Sequence, residues 1–324
     1  MKTHKHNVSA DQRQTLPSTL GDWDQSSSVR SRPNAYDIHA LTDAEIMKKD
    51  WFPPAMLTYL QHPFFKSADP DSIRKLLASH LVYFLDYTTI LEHKIVNRAV
   101  EIVVHDSLGI IPPLEMRAAG LQLYTDEGYH ALFSDQLAEQ VAKRYAYKRF
   151  ISSPARIDAI FELINTVDAK NIDLVYFLAG FVSETIIAKE LSSITNDQLV
   201  TPVYMMFRDH LYDEAKHCRY FTIVFMHFWQ NMTSEQRDFT ALTLPKIIKI
   251  YFKTDIPWLE KSLLIAGVPV GVTTEILGHL SDNKITSKAI QSGATSTILA
   301  IKKSGMLDSN HYRNIFIAEG IIDE

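Results

Sequence analysis

The chain has 324 residues, 46% hydrophobic and 22% charged, with a formal net charge of −5, values ordinary for a globular protein. That charge gives no basic footprint for nucleic acid, so a nucleic-acid partner is not indicated. One cysteine, Cys218, forbids an intrachain disulfide, and the polar N-terminus lacks the apolar core of a secretory signal. The most apolar stretches are broken by charge before about 18 residues, so a cytoplasmic protein without a membrane partner is expected.

Residues 1–35 are rich in Ser, Gln, Asp, Asn and His and show almost no apolar periodicity, which predicts a mobile tail. Residues 36–324 are expected to form a single domain, entered at Trp51, Phe52 and Pro53-Pro54. With 11 glycines and 13 prolines, turns are few and the body reads as helical. Leu76, Leu77, His80, Leu81, Phe84, Tyr87, Leu91 and Ile95 follow a helical period and predict a first helix over 71–107. Gly109 and Pro112-Pro113 turn the chain into a second helix reaching about Tyr147. A short helix near 154–167, a third helix over about 169–193 and a fourth over about 199–230 follow, the last two joined at Asn196-Asp197. From Ser234 the pattern stays helical, with interruptions expected at Pro245, Pro257, Gly267–Gly271 and Gly305. No run of alternating β-branched residues appears. Two long hairpins joined by a crossover predict an all-α chain: a ferritin-like four-helix bundle core with additional N- and C-terminal helices.

Two pentapeptides carry the chemistry. Asp126-Glu127-Gly128-Tyr129-His130 lies on the second long helix and Asp213-Glu214-Ala215-Lys216-His217 on the fourth. Glu and His three apart share a helix face, so the carboxylate can bridge two metals while the imidazole binds one. Alone, one Glu-x-x-His is commonly a solvated surface pair; two copies, both on apolar helices and both preceded by Asp, are not.

A dinuclear carboxylate site needs one further Glu from each of the other two helices. Glu127 lies about 16 residues beyond the first hairpin's turn, so its partner of equal depth falls near residue 95. Glu92 fits. Glu101 competes, but is displaced by about eight residues, roughly 12 Å; it and His93 are expected to pack beside the site. In the second hairpin, Glu184 mirrors the region near His210 and stands in an otherwise apolar run, where an unpaired charge is costly. Glu190 is expected to face solvent or a pocket wall. His210, Glu214 and His217 fall within about 60° on one helix face, which makes His210 a third imidazole candidate. The expected metal ligands are therefore Glu92, Glu127, His130, Glu184, His210, Glu214 and His217. Four carboxylates balance two divalent cations, and the N/O donor set suits iron or manganese. Asp126 and Asp213 are expected to accept a hydrogen bond from a metal-binding histidine on the opposite helix.

With these residues the chain resembles the p-aminobenzoate N-oxygenase (AurF-like) family of arylamine oxygenases. The likeness rests on Glu92, the Asp-Glu-Gly-Tyr-His run at 126–130, Glu184, and His210-x-x-x-Glu214-x-x-His217. It covers roughly residues 70–230, and the extra histidine separates this family from most di-iron carboxylate proteins. The resemblance implies two iron ions, dioxygen as co-substrate, an external electron donor, and a small-molecule amine of a natural-product pathway oxidised toward hydroxylamine, nitroso or nitro. It also implies a homodimer. A di-iron hydroxylase or desaturase acting on carbon, and a non-catalytic iron-binding protein, are the competing readings. Phe84, Tyr87, Thr88, Gly180 and Phe181 are candidates for the substrate pocket, and Arg98, Arg208 or Arg219 for a carboxylate clamp.

Overall fold

The computed structural model describes residues 20–31, 36–150, 153–280 and 283–323. In chain order the helices are α1 (Trp23–Ser26), α2 (Ser28–Ser31), α3 (Asp43–Met47), α4 (Pro70–Leu91), α5 (Asn97–Val104), α6 (Leu114–Tyr145), α7 (Ala155–Thr166) and α8 (Ile172–Ile194). Then come α9 (Thr201–Asn231), α10 (Ser234–Tyr251), α11 (Ile256–Ile265), α12 (Val270–Leu280), α13 (Asn283–Gly293), α14 (Thr295–Lys303) and α15 (Asn310–Ala318). Among the described residues there is no strand, only an isolated bridge between Asp50 and Leu199. The all-α expectation holds.

Local chemistry sets the helix ends. Asp69 caps α4 by accepting from Ser72 N (3.3 Å), with Pro70 at the first helical position. Gly109, at φ 69°, turns the first hairpin. Thr233 and Gln236 form a reciprocal capping box on α10. Gly267 (φ 84°) and Gly305 (φ 81°) interrupt the C-terminal helices where expected. Pro245 does not: α10 runs through it, and Pro245 is buried with Leu244, Ile247 and Ile248. The apolar face outweighs the hydrogen bond that proline removes.

The core is split into two apolar clusters, and each long helix passes from one to the other. α4 gives Leu76 to Leu85 to one cluster and Tyr87 and Leu91 to the other. The switch falls between Leu123 and Phe133 on α6, at Ile186-Ile187 on α8, and between Phe207 and Tyr220 on α9. A polar layer occupies the break. The helices close tightly beside it: a methyl group on Gly180 of α8 would lie under 3.0 Å from Ala99 of α5. Gly180 is thus a packing residue and not part of a pocket. Phe181 likewise stacks on Phe225, with centroids 4.3 Å apart.

By length and composition the segment Ala169–Ile194 is apolar enough to cross a membrane, but its most apolar stretch is mostly buried, as in a core helix. The other departure concerns the N-terminus. Residues 20–31, expected to belong to a mobile tail, form α1 and α2 and pack on α6 and α9. Leu20, Ser27 and Ser28 are buried. Much of the hold is polar and therefore left no apolar period to read. The rest of that expected tail, 1–19 and 32–35, lies outside the described residues.

Candidate metal centre

The polar layer gathers all seven expected ligands, each buried to 3% exposure or less. Glu92 opens a π-helical turn, Glu92–Val96, between α4 and α5. Such turns are rare and concentrate at functional sites. α6 brings Glu127 and His130, α8 brings Glu184, and α9 brings His210, Glu214 and His217. Glu101 is instead half-exposed, paired with Arg98 (3.1 Å) and Tyr124 (3.3 Å) away from the centre, and His93 is exposed. Neither supports the site as expected.

Glu214 sits at the middle. Its Oε1 is 3.2 Å from His210 Nε2, 3.3 Å from His130 Nδ1 and 3.2 Å from His217 Nδ1. On one side, Glu92 Oε1 lies 2.9 Å from His210 Nε2. On the other, Glu127 Oε1 lies 2.7 Å and Glu184 Oε2 3.7 Å from His217 Nδ1. Two groups of donors result, each within 4.8 Å: Glu92, His130, His210 and Glu214, and then Glu127, His130, Glu214 and His217. The two groups overlap at His130 and Glu214; a carboxylate such as Glu214 can serve two adjacent cations, whereas His130, with one nitrogen turned inward, can serve one of them. Glu184 stands at the edge of the second.

His217 Nδ1 and Glu214 Oε1 are hydrogen-bonded at 3.2 Å, but most of the inward-facing atoms are not. Glu92 Oε2, both Glu127 oxygens, His130 Nδ1, Glu184 Oε2, His210 Nε2 and Glu214 Oε2 are buried without a hydrogen-bond partner. His210 Nε2 and Glu92 Oε1 are close enough to bond but misaligned for it. Orphaned buried polar atoms are rare and costly in folded proteins, and so many in one layer fit a pair of cations.

The electrostatics agree. Burial pushes the Glu92 carboxyl up to about 7 against the pull of His210. Burial, then Glu214 and Glu127, push Glu184 well up. For Glu214 burial is outweighed by the surrounding imidazoles, which hold it well below the usual range. His130 and His217 are raised despite burial, by the carboxylates around them. Without cations the layer holds protons that metal ions would displace.

The outward nitrogens meet the two aspartates as expected. His130 Nε2 lies 3.3 Å from Asp213 Oδ2, and His217 Nε2 lies 3.2 Å from Asp126 Oδ2. Burial of Asp213 is outweighed by His130, which holds the carboxyl well below its ordinary range; it therefore accepts, and the imidazole N–H donates. Each histidine so held turns its Nδ1 lone pair inward. Sequence reasoning missed what lies behind these aspartates. Trp23 Nε1 donates to both Asp126 oxygens (3.0 and 2.9 Å), and the Ser27 hydroxyl donates to Oδ1 (2.7 Å). Ser28 donates to Asp213 through its backbone N–H (3.1 Å) and its hydroxyl (2.5 Å). A lone Trp in a polar stretch was the only available signal.

None of the three expected arginines reaches the centre. Arg98 pairs with Glu101 and Asp173, Arg208 with its neighbour Asp209, and Arg219 is exposed. Arg156, which the sequence did not single out, lines a cavity of about 250 Å³ with Tyr59, His80, Tyr83, Glu190 and Trp258. Its guanidinium lies 5.6 Å from the Tyr87 ring centroid. Tyr87 precedes Glu92 by little more than a helical turn, and burial pushes its hydroxyl up to about 12 against the pull of Arg156.

Comparison with curated proteins gave no match. The family model described as p-aminobenzoate N-oxygenase AurF matches residues 11–269. Because that match spans most of the chain, and with it the whole polar layer and the helices that build it, the chain belongs to the AurF family of di-iron, dioxygen-using N-oxygenases and is an oxidoreductase.

Proposed function

We propose that Glu92, Glu127, His130, Glu184, His210, Glu214 and His217 hold the two iron ions, and that the enzyme N-oxygenates an arylamine intermediate of a natural-product pathway. One observation carries the ligand assignment: orphaned donor atoms of four helices converge in a layer between two apolar clusters. The iron pair would supply reduction of dioxygen and delivery of one oxygen atom to the amine nitrogen. Each such step consumes one dioxygen, two electrons and two protons and yields the hydroxylamine and water. The electrons come from an external donor.

The chain's own residues then hold and exclude. Asp126 and Asp213 keep His217 and His130 in the metal-binding tautomer. The apolar clusters above and below keep bulk water from the layer, which strengthens every electrostatic interaction in it. The cavity lined by Arg156, whose guanidinium lies over the Tyr87 ring, supports a binding place for the amine. Oxidation at carbon is the second reading; His210, the third imidazole, and the family favour nitrogen.

A homodimer and a cytoplasmic setting belong to the same proposal. Exposed Leu114, Leu121 and Leu132 on α6, with Tyr212 on α9, support a partner copy, which sedimentation of the purified enzyme tests. The test of the main reading is iron content together with product analysis. Wild type should hold two irons per chain and convert an added arylamine to N-oxygenated products. Glu127→Ala and His217→Ala should hold less than one. Full iron in both variants sinks the ligand assignment, and hydroxylated carbon without N-oxidation sinks the reaction.

A further inference from the structure

We infer that residues 23–28 form a strap that positions the two histidines through Asp126 and Asp213, so that retention of iron depends on the N-terminal segment. The inference rests on the ligand assignment proposed above. Its basis is the near-symmetry of the bonding. His217 on α9 reaches Asp126 on α6, and His130 on α6 reaches Asp213 on α9. The strap closes both ends of this crossed pair. Trp23 and Ser27 hold Asp126, and the next residue, Ser28, holds Asp213 with two donors. Lys216 ties the strap from the other side, donating to Ser26 O (3.0 Å) and Asp213 Oδ1 (3.4 Å).

A carboxylate that accepts from three donors has one orientation. Remove the strap donors and each aspartate is free to rotate off its imidazole, which then loses the N–H partner that fixes its tautomer. α1 and α2 are four residues each; Leu20 just before them is buried and the Trp23 ring packs partly buried against the core, and the polar bonds to Asp126 and Asp213 add to that hold. Linkage then runs both ways: if the strap favours the metal-binding arrangement, bound metal favours the docked strap to the same degree. Trp23, Ser27 and Ser28 are thus positioning residues; none touches the ligand atoms facing the metals.

Two measurements on the full chain test this. The first is the rate at which iron(II) passes, without oxygen, from the loaded protein to a ferrous chelator in excess. Loss of the partner behind a metal-bound histidine weakens metal binding by about 10–100-fold; the strap acts one bond further out, through the aspartates, so Trp23→Phe with Ser27→Ala, and separately Ser28→Ala, should speed iron loss severalfold, up to about tenfold. Ser28→Thr, which keeps the hydroxyl, should restore retention. The second needs no variant: amide exchange of residues 20–31 in wild type should slow when iron(II) is added without oxygen. Wild-type retention in both variants, or exchange of the strap that ignores iron, overturns the inference. In that event Glu127→Ala still losing its iron would leave the ligand assignment standing, whereas unimpaired iron in Glu127→Ala would remove both.

Discussion

Gly180→Ala is the sharpest test of how the bundle closes on its metal layer. A methyl placed on Gly180 lies under 3.0 Å from the Ala99 side chain, whereas two carbons at rest sit about 3.5–4.0 Å apart. α8 and α5 must therefore part by roughly 1 Å or more. Overpacking of this kind costs about 1–3 kcal/mol. The same shift falls on the site, because Glu184 is one turn beyond Gly180 and Glu92 lies two turns before Ala99 on the facing helix. Displacement of a ligand by even part of an ångström from a constellation this close loosens the metal. Urea unfolding of the apo protein should thus lose about 1–3 kcal/mol, and iron(II) loading should weaken in parallel. Ala99→Gly in the same chain removes the opposing methyl and should recover most of both losses, less the ~1 kcal/mol that a glycine costs inside a helix. If the double variant is as unstable as the sum of the single ones, the close contact is not what holds these helices, and the account of the closure is wrong.

Three further outcomes are expected. Glu92→Ala should lower iron stoichiometry, whereas Glu101→Ala should leave it at two per chain; the reverse pattern in an iron assay would exchange their roles. Arg149 joins the buried Asp86 (2.6 Å) to Asp135 and Glu139, so Arg149→Met should strand the Asp86 charge and cost about 3–5 kcal/mol. Adding Asp86→Asn should return much of that in a thermal melt, and no recovery would show that the arginine acts by packing alone. His80, ringed by Phe52, Tyr59, Tyr83 and Trp258, is lowered to about 3 by burial and then by Arg156. Below the unfolded value of about 6.5 the unfolded chain binds a proton that the fold refuses. Stability is therefore complete above that pH and falls as pH drops toward 3, by up to about 2 kcal/mol at pH 5. His80→Phe should flatten the urea midpoint between pH 6.5 and 5, and an unchanged slope would place the acid sensitivity elsewhere.

How much of this was legible follows from what each residue depends on. That Glu92, and not Glu101, enters the polar layer could be read by counting from the turn, because both arms of an antiparallel hairpin advance about 1.5 Å per residue and one extra residue in the π turn is too small an error to exchange the two. The proposed ligands on α6 and α9 stand out in sequence because spacing of three, four and seven is itself a statement about one helix face. Helix limits were readable from caps, except at Pro245, where burial of the surrounding α10 face overrides a local rule. Trp23, Ser27 and Ser28 had no such signature. Their partners lie some hundred or more residues away, at separations of 103, 99 and 185, and a serine that holds a buried carboxylate looks in sequence like any serine in a polar tail. Arg156 was missed for the same reason, since only the folded chain brings it over Tyr87. Residues that act through their own helix face are visible in sequence. Those that act by holding another residue's side chain in place become visible only when the fold has put the two together, and at this site that second set is what fixes the orientation of the first.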